Sequence, residues 1–143
     1  MIVDNTEEVD DRYHCVSCKE FNRIAIERHD LIVSDLYKTL KNLVGRGFVD
    51  NECLLNNDAN MRMDIVVTIH GVQYYIDVTV VNPASRSHSS AHSHVTLAAE
   101  GSKRRKYDAA LSRLGVNQTH FIPFVLCSSG LMGPVAKDWF DYV

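Results

Sequence analysis

Two apolar, β-branched runs separated by two residues constrain this chain more than any other feature. RMDIVVTI at 62–69 and VQYYIDVTVVNP at 72–83 flank His70-Gly71, and a two-residue gap between strand-like runs specifies a β-hairpin. In that register Ile65 meets Ile76, Val67 meets Tyr74 and Ile69 meets Val72, which makes one continuous apolar face. The opposite face, away from the core, carries Thr68 with Gln73, Val66 with Tyr75, and Asp64 with Asp77. Directly opposed residues have Cβ atoms about 4.5–5.5 Å apart, and like charges there are destabilising. A protonated carboxyl would relieve the repulsion, and so would a hard divalent ion held by the carboxylates and water. A three-residue turn would instead pair Asp64 with Val78 and send the acids to separate, solvent-facing sides. The pattern leaves both registers open.

The rest of the chain supplies helices and one more strand. Ala25, Ile32, Leu36, Leu40 and Leu43 follow helical spacing, and the GRG at 45–47 is the expected stop. NNDAN at 56–60 reads as a turn before the first hairpin strand. Pro83 closes the second strand, and ASRSHSSAHSHVT after it reads as a long polar loop, of a length that suggests function. A second helix is expected from Leu97 or Ser102 to Leu114, with Lys103, Tyr107, Ala110, Leu111 and Leu114 on one stripe, so that Lys103 leans inward and Lys106 lies at the stripe's edge. FIPFVLC at 121–127 reads as a buried strand and PVAKDWFDYV as a closing helix. This order predicts an α/β domain with a small mixed sheet flanked by helices.

Composition limits the functional classes. A chain of 143 residues is one domain by length and buries a core without disulfides. An acidic leader occupies 1–13 and the folded domain 14–143; the acidic stretch after Met1 is no signal peptide, and no apolar run is long enough for a membrane. Four cysteines without a secretory context read as reduced thiols or metal ligands, which favours an intracellular setting. Cys53 and Cys127 are expected to be small buried hydrophobes. The net charge of -3 argues against bulk electrostatic coating of nucleic acid. KRRK at 103–106 is nonetheless a local cluster able to face phosphates, with Arg104, Arg105 and Lys106 as the DNA-contacting candidates.

Taken together, MD at 63–64, IDVTV at 76–80 and KRRKY at 103–107 resemble the restriction-like endonuclease domain of site-specific non-LTR retrotransposons, a branch of the PD-(D/E)XK nuclease superfamily. HCVSC at 14–18 and ERHDLIVSDLYKTL upstream resemble the end of a zinc knuckle and the Arg-His helix that precede those motifs, so the resemblance spans most of 14–126. It implies that Asp64 and Asp77 ligate a catalytic Mg²⁺ or Mn²⁺, with the Val78 backbone carbonyl as a further ligand. It also implies that Lys103 is the catalytic lysine, moved onto the helix because Thr79 stands two residues after the second acid. Lys106 and Tyr107 complete the K-x-x-K-Y pattern, and Arg28 and His29 match the Arg-His pair, with a role in DNA contact or site organisation. Met63 stands where proline is usual.

The implied activity is a Mg²⁺-dependent endodeoxyribonuclease that nicks target DNA, in the nucleus and as part of a larger reverse-transcriptase polyprotein. Two aspartates holding a metal can polarise a phosphodiester while a lysine steadies the developing charge. His14, Cys15 and Cys18 are the candidate Zn²⁺ ligands, either as the last two ligands of a knuckle, His14 and Cys18, or as a Cys15–Cys18 half-site. Four ligands are needed for a closed site, and Ile2 to Tyr13 contains no cysteine, so 14–18 reads as a partial remnant. His88, His92 and His94 read as a solvated loop bordering the cleft. Two alternatives stand beside the nuclease: a non-catalytic nucleic-acid-binding module that keeps the same fold, and a structural domain with both aspartates on the surface.

Overall fold

The computed structural model describes residues 19–55, 58–82 and 92–143. Helix α1 spans Lys19–Val44 and ends at Gly45. A 3-10 turn at Arg46–Phe48 leads into strand β1, Val49–Leu55, followed by β2, Asp58–Ile69, and β3, Val72–Val81. Helix α2, His92–Arg113, precedes a second 3-10 turn at Gln118–His120, strand β4, Phe121–Cys127, and helix α3, Pro134–Tyr142. The sheet order is β1-β2-β3-β4, with β1, β2 and β3 antiparallel and β4 parallel to β3. Among the described residues this makes a mixed four-stranded sheet with three helices, the small mixed α/β sheet that the pattern predicts with one strand more. A parallel pair needs a crossover, and α2 provides it.

The hairpin takes the two-residue turn. His70 and Gly71 both have positive φ, 51° and 79°, the type I′ geometry whose twist matches the flanking strands. The pairing runs from Ile69–Val72 through Val67–Tyr74 to Ile65–Ile76. The register of the two-residue turn is therefore the one formed, and it runs to Ile65–Ile76, one step short of Asp64 and Asp77.

Both faces of the sheet are covered. On one, Ile65, Val67, Ile69, Tyr74, Ile76 and Val78 form a core with Leu36 and Leu40 of α1 and Ala136 and Trp139 of α3. On the other, Met63, Val66 and Phe121 pack against Tyr107, Ala110 and Leu111 of α2. β4 contributes to both cores, which is why its sequence is an unbroken apolar run. The face carrying Asp77 is thus a second core rather than the side away from the core, and Asp77 is only 4% exposed.

Several expectations need correction. β1 was not expected: Asp50, Asn51 and Glu52 break its alternation, and charges on an edge strand are a common guard against unwanted pairing. β2 begins at Asp58, inside the expected turn. α2 begins at His92, so His92 and His94 lie in a helix and not in a loop. Its buried positions start with Val95 and Thr96, while Leu97, one of the two expected starts of the helix, is half exposed. Burial of a short polar side chain has overridden hydropathy there. Leu114 lies past the helix end and is exposed, and Cys53 is half-buried on the edge strand rather than a core thiol. His14, Cys15, Cys18, His88 and the acidic leader lie outside the described residues.

α2 is tied to α3 by a buried acid. Glu100 is 4% exposed, and its carboxylate accepts the N–H of Val135 at 3.0 Å, capping α3 in place of a local side chain. A Cβ added at Gly133 would collide with this carboxylate. Gly133→Ala is expected to lower stability by about 1–3 kcal/mol, because the displaced carboxylate loses its donor in a buried place. Urea denaturation would measure the change, and a loss below 0.5 kcal/mol (roughly the scatter of a neutral surface change) would refute it.

Candidate functional site

The site forms where the sheet splits. Below Ile65 and Ile76 the β2–β3 pairing stops, while β2 continues against β1 through Cys53–Met63 and Leu54–Arg62, and β3 continues against β4 through Asp77–Pro123 to Val81–Cys127. Asp64 and Asp77 sit at the head of this gap. Met63 turns into the α2-side core, beside Leu55 and Tyr107, so strict alternation along β2 ends just before Ile65. The Asp64 carboxylate uses the freedom to reach across the gap, where its Oδ2 accepts the N–H of Val78 at 2.6 Å. A side chain thus substitutes for a ladder bond.

Each acid has its own cationic partner, delivered from a different face. Lys103 of α2 places Nζ 2.8 Å from Asp77 Oδ2. Thr79 Oγ1 also donates toward that oxygen at 3.4 Å, and the Tyr107 hydroxyl donates to Asp77 Oδ1 at 2.8 Å. His29 of α1 lies on the opposite side, with Nε2 3.5 Å from Asp64 Oδ2 and 3.2 Å from the Val78 carbonyl oxygen, and Nδ1 3.1 Å from Asp30 Oδ1. Its interaction with Asp64 outweighs the cost of burial, with help from Asp30 and the Val78 carbonyl, and raises its pKa to about 9. His29 is therefore an imidazolium at neutral pH. Burial first, and then the Asp77 carboxylate, hold the Tyr107 phenol far above its ordinary range, so it acts as a neutral donor.

The charge repulsion is accordingly answered in a third way, by Lys103 on Asp77 and His29 on Asp64, rather than by a shared proton or by a cation alone. No described residue donates to Asp64 Oδ1. Among the described residues no three His, Cys, Asp or Glu side chains are grouped to hold a metal. A cation here would rest on two carboxylates and water, which is the mode of magnesium rather than of structural zinc. Asp64 Oδ1 and Asp77 fit that mode. The Val78 carbonyl, the further ligand implied by the resemblance, already accepts from His29.

The remaining expected residues divide. Lys106 donates to the Tyr107 hydroxyl at 3.1 Å and lies over its ring. Arg104 is not a free DNA contact: its Nη1 donates to the Gln118 carbonyl at 3.2 Å, part-buried. Arg105 is exposed, and its Nη2 donates to Ser102 Oγ at 3.2 Å. Arg28 Nε is buried without a hydrogen-bond partner among the described residues. Asp77 is not on the surface, which removes the structural alternative in the form expected. Sequence reasoning missed Glu100 and the Arg62 carbonyl, to which Tyr107 Oη also lies at 3.0 Å. Glu100 was discoverable, since it shares the three-and-four spacing of Lys103 and Tyr107; a carbonyl leaves no trace in sequence.

No protein-family model matches the chain, and no curated protein matches it in sequence. No helix among the described residues is long and apolar enough to cross a membrane.

Proposed function

We propose that the chain is a Mg²⁺- or Mn²⁺-dependent endonuclease of the PD-(D/E)XK type, hydrolysing DNA phosphodiesters as the resemblance to non-LTR retrotransposon endonuclease domains implies. One observation carries the reading: a buried aspartate in a split sheet receives a lysine from the following helix at 2.8 Å, while a second aspartate on the neighbouring strand reaches across the gap to the N–H of Val78. Asp64 and Asp77 would hold the cation, which supplies Lewis acidity at the scissile phosphate. Lys103 then stands beside the bound group as a donor toward developing negative charge. His29, Lys103 and Lys106 offset the charges of Asp30, Asp64 and Asp77, so the acids do not leave the site strongly repulsive to a polyanion. Target-DNA nicking is the form of the reaction carried by the resemblance.

A non-catalytic DNA-binding module is the second reading, favoured by the fact that both acids are already balanced by His29 and Lys103. Supercoiled plasmid incubated with Mg²⁺ separates the two. The nuclease nicks it, EDTA stops the reaction, and Asp77→Ala loses activity by at least about 10³-fold, the scale for removing a group that binds the catalytic ion. Equal nicking by Asp77→Ala would sink the site assignment. Salt-sensitive binding without nicking would establish the binding module.

A further inference from the structure

We propose that Tyr107 is a positioning residue for the acid pair: its hydroxyl, wedged between the Arg62 carbonyl on β2 and the Asp77 carboxylate on β3, sets the width of the gap in which the two acids meet a cation. The inference rests on the nuclease reading and adds to it the element that holds the site open at a fixed width.

The need for such an element follows from the topology. Below Ile65–Ile76 no ladder joins β2 to β3, and each strand is held instead by its outer neighbour, β1 or β4. The described contacts that bridge the gap are side-chain ones: Asp64 to the Val78 N–H, His29 to Asp64 and the Val78 carbonyl from the α1 side, and Tyr107 to both strands from the α2 side. The phenol is well suited to the task. Its ring is 1% exposed, sits 5.3 Å from the Phe121 ring, and packs with Ala110 and Leu111, so the core dictates where the oxygen stands.

That core would accept phenylalanine. A buried hydroxyl is costly unless bonded, and the acceptors this one reaches both lie at the gap. A phenol has a single proton. Oη lies 2.8 Å from Asp77 Oδ1 and 3.0 Å from the Arg62 carbonyl oxygen, and the ionised carboxylate is the stronger acceptor. The one proton therefore serves both oxygens as a three-centre bond weighted toward the carboxylate, and the carbonyl stays tied to the same hydroxyl. Lys106 Nζ donates to the remaining lone pair at 3.1 Å and covers the ring at 4.7 Å, which fixes the hydroxyl's orientation toward the strands.

The test is Tyr107→Phe in the full chain, read by Mn²⁺ titration calorimetry without DNA, by plasmid nicking against Mn²⁺ concentration, and by thermal melting. Loss of an outer-shell hydroxyl is expected to weaken Mn²⁺ binding about 10-fold or more and to lower kcat at saturating Mn²⁺ by a similar factor. KM for DNA should stay unchanged, and the melting temperature should fall by no more than about 10 °C. A role confined to packing would move the melting temperature but not the Mn²⁺ affinity. Equal Mn²⁺ affinity and kcat in variant and wild type would overturn the positioning role and leave the nuclease reading standing. Loss of folding in a variant that keeps the whole ring would also overturn it, because the hydroxyl would then be a determinant of the fold. Absence of both Mn²⁺ binding and nicking in the wild-type chain would overturn the nuclease reading itself, and this proposal with it.

Discussion

Lys103→Met is expected to lower Mg²⁺-dependent plasmid nicking by about 10²–10³-fold, the usual cost of removing one donor aimed at developing charge. The same change strands Asp77. With the ammonium gone from 2.8 Å, a carboxylate that is 6% exposed keeps only the Tyr107 and Thr79 hydroxyls. Breaking a buried pair by removing one partner costs about 3–5 kcal/mol, and the 25% exposure of the Lys103 side chain brings the expectation to about 2–4 kcal/mol. Two further arms separate stability from catalysis. Lys103→Met combined with Asp77→Asn removes both charges and should recover most of the stability while remaining inactive. Millimolar Mg²⁺ should stabilise Lys103→Met more than wild type, because the vacated charge on Asp77 is then open to the ion. A single variant with full activity would exclude Lys103 from the reaction.

Asp64→Asn should bring the His29 titration, followed by NMR of the imidazole, down from about 9 to near its ordinary value of 6.5, since Asp64 is the chief cause of the shift. In the metal-free protein this carries a stability signature of definite sign. A histidine whose folded pKa is raised contributes stability that is fully present below 6.5 and is lost as pH rises through about 9. Wild type should therefore lose about 1–2 kcal/mol across that window, a figure reduced for the partial exposure of both partners. Asp64→Asn should lack that slope. A His29 titration unchanged by the substitution would show that Asp30 and the Val78 carbonyl hold the proton instead.

Much of the fold is legible in the sequence because its elements are decided locally. Strict alternation at 65–69 and 72–76 with His70-Gly71 between them leaves little choice of register, and the observed pairing follows it. The unbroken apolar run at 121–127 reads as a strand buried on both faces, which it is. β1 was not legible because an edge strand buries little: only Val49 and Leu55 of its seven residues are buried. The start of α2 was not legible either, because Thr96 and Glu100, polar in sequence, are buried by what packs over them.

The same division runs through the site. By itself the sequence determined the two-residue turn and the pairing of 65–69 with 72–76, with Asp64 and Asp77 the next residue along each strand, and it placed Lys103 and Tyr107 on one inward helical stripe. Those relations depend on periods of two and 3.6, which are properties of the local backbone. Only the tertiary structure decided that the ladder stops one step short of the acids, that Asp64 crosses to a backbone N–H, and that His29 and Lys103 arrive from opposite faces of the sheet. The reason is competition: β1 and β4 claim the outer sides of β2 and β3, and the gap left between those strands is filled by side chains from helices far away in the chain.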